Sequence, residues 1–238
     1  MPALFGKSAI QNDDKKRLPP GQILTTKWPV LHAGNVPRVD LDTWDFKLTG
    51  LVEQPVTLTW KDFMALPKTS HTSDIHCVTT WSRYDNTFEG VLFRDVMKLA
   101  NVSSQAKFVM VHAEEGWTTN LPLEDLLQDG AMFAYRHDGK DLTADHGWPL
   151  RLVVPHLYFW KSAKWVRGIE FLSADKPGFW EGYGYHLYAD PWLEQRYRDD
   201  PEWMGVGENS EAYYRTIKAR VRREWAQRSP EHGGNTPD

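Results

Sequence analysis

Between Trp44 and Leu172 the chain is cut into short runs of β-branched and apolar residues, most of them closed by Gly, Pro or Asp-Gly within a few positions. Such runs suit strands and are too short for ordinary globular helices. Residues 44–49 alternate apolar and polar and end at Gly50, and Val56–Thr59 reads as a second strand. Thr59 stands three residues before Asp62, a capping pattern that predicts a short helix over 60–66, stopped by Pro67. Residues 69–80 read as a strand running into a turn at Cys77. Further strands are predicted at 88–91, 107–112, 116–121, 131–136, 150–154 and 165–172, with small helices at 93–99 and 123–127. Asp138-Gly139 marks a tight turn. The fold class is α+β: many short strands and a few small helices in one β-rich domain over 28–172.

The flanks differ. Residues 1–27 are polar, contain Pro and Lys, and read as a flexible arm. From 173 to 208 the chain is rich in Gly, Pro, Trp and Tyr, which suggests an aromatic segment wrapping the same domain. Residues 210–228 look helical, with basic residues towards the end, and 229–238 look frayed.

Twelve Trp among 238 residues fit a thick β core or a pocket gripping a flat ligand. With 28 basic against 32 acidic residues the chain is slightly acidic, which argues against a general nucleic-acid binder. One cysteine rules out a disulfide scaffold and a four-cysteine metal site. No apolar run reaches membrane-spanning length, and Leu18-Pro19-Pro20 follows the basic residues 15–17 where a signal core would lie. A cytoplasmic location is expected.

The lone Cys77 can be an inert core residue, a nucleophile or one soft ligand to a metal. Arg151 breaks the apolar run L-R-L-V-V-P. It either pairs with a neighbouring carboxylate, points outward, or serves an anion. Thirteen positions on, Lys164 ends K-S-A-K, a turn that is either solvated or able to surround a phosphate. No Walker motif or G-x-G-x-x-G is present, and the nine His have no zinc spacing. His32, His146 and His156 lie beside Gly or Pro in turns, where side chains often face a cleft.

The stretch H-C-V-T-T-W-S around Cys77, followed by H-G-W-P-L-R-L-V-V-P-H-L-Y-F-W-K-S-A-K-W over 146–165, resembles the sulfite oxidase family of molybdopterin enzymes. It is most similar to the small bacterial sulfite oxidase-like and methionine sulfoxide reductase catalytic subunits. The resemblance covers about residues 28–172 and implies the mixed α+β molybdopterin-binding fold. It places Cys77 on the cysteine that binds molybdenum. It places His146, Arg151, Ser162, Ala163 and Lys164 on positions that bind the molybdopterin, the basic groups near its phosphate. His32 and Ala113 fall on or near further cofactor-contacting positions. The implied activity is oxygen-atom transfer on a small substrate, sulfite-like or sulfoxide- or N-oxide-like, with Arg83, His156, Tyr158 and Trp81 expected around the substrate. No haem or iron–sulfur motif is present, so electrons are expected to pass to or from a separate carrier. Two departures stand against sulfite itself. Val30 occupies the position where animal members carry an arginine, and Arg83 stands at a shifted spacing after the cysteine. A non-catalytic module that kept the fold, and an enzyme using Cys77 as nucleophile, are the alternatives.

Overall fold

A computed structural model describes residues 17–32 and 34–198. The helix expected over 210–228 and the frayed end at 229–238 lie outside the described residues.

Two sheets carry the fold. The first contains β1 (Ile23–Leu24), β4 (Thr69–His76), β5 (Trp81–Leu92), β8 (Met132–His137), β9 (Lys140–Asp141) and β10 (Arg151–Val153). Its order is β1-β5-β8-β10, with β4 also on β5 and β9 on β8. The second is ordered β3-β2-β11-β6-β7, from β2 (Asp45–Gly50), β3 (Val56–Thr59), β6 (Phe108–Ala113), β7 (Thr118–Pro122) and β11 (Val166–Leu172). Among the described residues four short α-helices punctuate the strands: α1 (Trp60–Met64), α2 (Phe93–Met97), α3 (Leu123–Leu126) and α4 (Phe179–Gly182). The expected capping box opens α1: Asp62 N–H donates to Thr59 Oγ1 at 3.2 Å and Thr59 N–H donates to Asp62 Oδ2 at 3.1 Å. Asp138 (φ 48°) and Gly139 (φ 74°) make the tight β8–β9 turn.

One apolar core fills the space between the sheets. Phe46, Leu48, Val109, Val111, Ile169 and Phe171 enter from the second sheet; Val91, Phe133 and Leu152 enter from the first. Phe46 meets Phe133 across the gap, ring centroids 5.0 Å apart. The first sheet buries its other face too. Ile75, Phe88, Met132, Ala134 and Val153 form a smaller cluster there, covered by Trp28, Trp81, Leu92 and Phe159. Alternation assigns the sides: on β10, Leu152 faces the main core, so Arg151 and Val153 share the opposite face. The functional residues gather on that outer face.

The flanks are tied down where they are described. Arg17 donates to Asp74 at 2.6 Å and to Asp85 at 2.6 Å, and β1 runs parallel to the start of β5. Residues 17–27 are therefore part of the sheet assembly rather than a free arm. The segment after 172 packs as an aromatic strap. Phe179 meets Trp117 at 4.0 Å, and Tyr185 meets Trp180 at 5.1 Å and Trp160 at 5.2 Å. Beneath it Glu181 and Lys161, both 0% exposed, pair at 2.6 Å. Lys161 also donates to Asn120 O at 2.8 Å and Asn120 Oδ1 at 2.9 Å, while Thr119 and Trp160 donate to Glu181.

Candidate active site

The loop between β4 and β5 presents Cys77. Its N–H donates to Trp81 O at 2.8 Å, Thr80 N–H donates back to Cys77 O at 3.1 Å, and Thr80 takes a left-handed φ of 73°. The sulfur lies 3.1 Å from Thr79 Oγ1 on a residue 8% exposed. Burial pushes the thiol pKa up, while Thr79 and the Arg196 guanidinium pull it down. The Cys77 carbonyl accepts from Gln22 Nε2 at 3.1 Å, and the Val78 carbonyl accepts from Arg196 Nη1 at 2.6 Å. Behind the loop, His76 is held at 2.8 Å from Ser82 Oγ, and burial lowers its pKa to about 4.

The second half of the site is basic. Arg151, at the start of β10, is buried and, among the described residues, donates to carbonyls: Leu152, His146 (2.9 Å) and Ser162 (2.9 Å). Its guanidinium lies 4.3 Å from the Phe159 ring centroid and 5.2 Å from that of Trp28. Burial alone lowers its pKa to about 9. Lys164 donates to Leu31 O at 3.0 Å and Asp145 O at 2.9 Å, and sits 4.5 Å from the Trp165 ring centroid. Burial, then repulsion by Arg151, brings its pKa down to about 7. Among the described residues no carboxylate forms an ion pair with either cation. Ser162 accepts from Val154 N–H at 2.9 Å, which leaves its hydroxyl hydrogen free to donate.

Gly147 allows this crowding. At φ 107° it is left-handed, and a Cβ there would meet Arg151 Cβ and Lys164 Cβ, each at 3.1 Å. His146 stacks on Trp28 at 4.1 Å, and His32 turns its edge to Trp165 at 5.7 Å. Burial lowers the pKa of both histidines. Ala113, at the end of β6, lies at the Trp165 side: it pairs with Val166, and Glu114 N–H donates to Trp165 O at 3.0 Å. Ala163 N–H and C=O belong to the same turn, its carbonyl accepting from Leu152 N–H at 2.8 Å.

Neighbouring residues join the two halves. Phe159 packs under Arg151, whereas Tyr158 lies under Arg196, 4.9 Å from ring centroid to Cζ. His32, Ala113, His146, Arg151, Ser162, Ala163 and Lys164 are thus brought together, and Cys77 and Tyr158 share Arg196. Two expected pocket residues are otherwise engaged. Arg83 pairs with Asp138 at 2.7 Å and donates to Asn86 and His137. His156 bonds Asp125 Oδ1 at 2.8 Å, an oxygen that also accepts from Tyr188 at 3.0 Å and Gln128 at 3.2 Å. In K-S-A-K, Lys161 turns inward to Glu181 and only Lys164 joins the basic group.

Sequence reasoning missed Trp28, His137, Gln22 and Arg196. His137 packs, with its ring tilted, against Trp28 at 4.2 Å and Phe88 at 4.8 Å. Simple alternation puts it on the wrong face; a register shift opposite Glu89–Gly90 skips Tyr135 and turns it round. Trp28 left one trace, its place at the head of a Pro- and Gly-containing loop. Nothing local marks Gln22 or Arg196.

Residues 33–180 match the family described as the oxidoreductase molybdopterin binding domain, and the chain belongs to that family. It is a molybdopterin-dependent oxidoreductase by that membership. Among its relatives is the uncharacterized oxidoreductase YuiH of Bacillus subtilis (strain 168), 51% identical over 197 residues, covering 82% of this chain and 99% of that protein. The sulfite oxidase of Arabidopsis thaliana is 27% identical, across 65% of this chain and 49% of its own length. The protein-methionine-sulfoxide reductase catalytic subunit MsrP of Campylobacter jejuni is also 27% identical, across 62% and 56%. The chain thus spans about half the length of these last two. In fold it resembles the sulfane dehydrogenase SoxCD from Paracoccus pantotrophus, with TM-score 0.54 and 22% identity over 58% of this chain and 40% of that one. Among the described residues no helix is long and apolar enough to cross a membrane.

Proposed function

We propose that this chain binds molybdenum–molybdopterin and transfers an oxygen atom to or from a small sulfite-like, sulfoxide-like or N-oxide-like substrate, exchanging electrons with a separate carrier. The observation that carries the reading is a pair of neighbouring cations, Arg151 buried and Lys164 half-buried, with no carboxylate in an ion pair with either among the described residues. Burying such charge unpaired is costly, so the arrangement calls for an anion from outside the chain. A cofactor phosphate fits. The Arg151 guanidinium and Lys164 ammonium would hold it, with the Ser162 hydroxyl and the Ala163 turn beside them. His32, His146 and Ala113 would border the ring system against Trp28 and Trp165. Burial keeps both histidines inclined to the neutral form, able to donate or accept without adding charge.

Cys77 would be the protein's single sulfur ligand, which suits a metal whose other ligands arrive with its organic carrier. When bound, the group supplies the redox change and the place of oxygen exchange; the protein supplies orientation and electrostatics. Tyr158 stands as the pocket residue nearest in contact terms, through the Arg196 it shares with Cys77. Arg83 and His156 have weaker support, since Asp138 and Asp125 already engage them. A cysteine nucleophile is disfavoured. Burial raises the thiol pKa, and Thr79 rather than an imidazole is bonded to the sulfur. Protein purified from a molybdenum-replete host is expected to hold about one molybdenum per chain, and Cys77→Ser to lose turnover. Spectral titration with sulfite, sulfoxides and N-oxides then selects the substrate class, and cell fractionation tests the expected cytoplasmic location. Active protein without molybdenum would refute the reading.

A further inference from the structure

We propose that Arg196, which lies beyond the residues matching the family, is the positioning residue that fixes the shape of the Cys77 loop; this rests on the reading that Cys77 is a metal ligand. Two carbonyls in the loop are each held by a distant side chain, and that of Cys77 also closes the loop by accepting from Thr80 N–H. Gln22 holds the carbonyl of Cys77 and Arg196 holds that of Val78. The loop needs such anchors, because Thr80 sits in the left-handed region without being glycine. Releasing the Val78–Thr79 peptide would loosen the backbone one residue beyond Cys77, and with it the turn that sets the direction of the Cys77 side chain.

Arg196 is itself well fixed. Its side chain is 15% exposed, its guanidinium lies over the Tyr158 ring, and its Nη2 approaches Pro20 O at 3.5 Å. Its nearest carboxylate, Glu194, is 3.8 Å away, so the charge-assisted bond to Val78 at 2.6 Å is its strongest contact. The turn that presents it is closed by reciprocal bonds between Asp190 and Gln195, both 3.0 Å. The strap therefore does more than cover apolar surface: it delivers one donor to the cysteine loop from a segment outside the matched domain.

The test compares Arg196→Ala, Arg196→Lys and Gln195→Ala. Gln195→Ala loosens the same turn without touching the loop. In cofactor-free protein, hydrogen exchange at the Cys77 and Thr80 amides is expected to quicken about tenfold or more in Arg196→Ala. It should be partly restored in Arg196→Lys, quicken by clearly less in Gln195→Ala, which keeps the guanidinium, and stay unchanged over Thr69–Ser73 in all three. In loaded protein, Arg196→Ala is expected to keep its molybdenum content but shift the sulfur-to-metal absorption and the electron paramagnetic resonance of the half-reduced metal. A merely structural residue would lower the melting temperature and leave both spectra alone. Wild-type exchange at 77–80 together with a wild-type spectrum in Arg196→Ala overturns the proposal. If that variant does not fold, Arg196→Gln is judged by the same criterion. Wild-type protein without molybdenum would defeat the functional reading instead, and the exchange measurement would still decide whether Arg196 holds the loop.

Discussion

Two lysines three positions apart illustrate how little a residue's chemistry says until its partners are known. Lys161 is sealed against Glu181 and Asn120, whereas Lys164 faces carbonyls, the Trp165 ring and Arg151, with no ion-paired carboxylate among the described residues. Their replacements should behave oppositely. Lys161→Ala leaves Glu181 buried without its counter-charge and is expected to cost about 3–5 kcal/mol of stability by urea unfolding. Lys164→Ala removes an uncompensated charge, so cofactor-free protein should stay within about 1 kcal/mol of wild type or gain stability, while cofactor content falls. The K-S-A-K pattern by itself gave both lysines the same standing, and only the family resemblance singled out Lys164, because the pattern records neither the inward turn at Phe159–Lys161 nor the glutamate twenty positions later. Cys77 and Arg151 were legible for a different reason: a lone sulfur and a charge inside an apolar run are anomalies wherever they occur.

At the level of elements, strands with clean boundaries were readable. Val56–Thr59 was placed without error, and the capping box that follows is formed. The long β5 was not, since only 88–91 of its Trp81–Leu92 span carries an apolar pattern; the polar remainder is extended because β4 and β1 pair with it. The same limit hid His137, whose face depends on a bulge that forms only when β8 meets β5. The turn between Ala144–His146 and β10 makes a direct prediction. Gly147→Ala would force a side chain into the left-handed region, with its Cβ crowded against Arg151 and Lys164. A loss of at least about 1 kcal/mol in stability is expected, with a larger proportional loss of bound cofactor, measured as metal content of the folded fraction.

The described residues form a main core between the sheets and a smaller apolar cluster on the outer face of the first, where the basic group lies, and the strap packs beside them. How the strap docks could not be read beforehand, since Glu181, Tyr188 and Arg196 find partners far away in the chain. The charge balance has a pH signature. Lys164 titrates near 7 in the folded protein against 10.5 for a free lysine, so the unfolded chain binds the extra proton between those values. Stability from this group therefore rises with pH across that window in the cofactor-free protein and is lost as pH falls towards 7. Sulfate, whose own charge is constant there, is expected to bind the cofactor-free protein more weakly as pH rises through about 7; calorimetry checks the direction, and Lys164→Met should flatten the dependence. Arg151, whose pKa is about 9, keeps its proton as the pH passes through 7. An empty chain thus remains an anion trap near neutral pH. Newly made protein would meet cellular phosphate before its cofactor, so loading becomes an exchange of one anion for another. Its speed would be set by how readily the first one leaves, and a phosphate buffer during reconstitution would be expected to slow it.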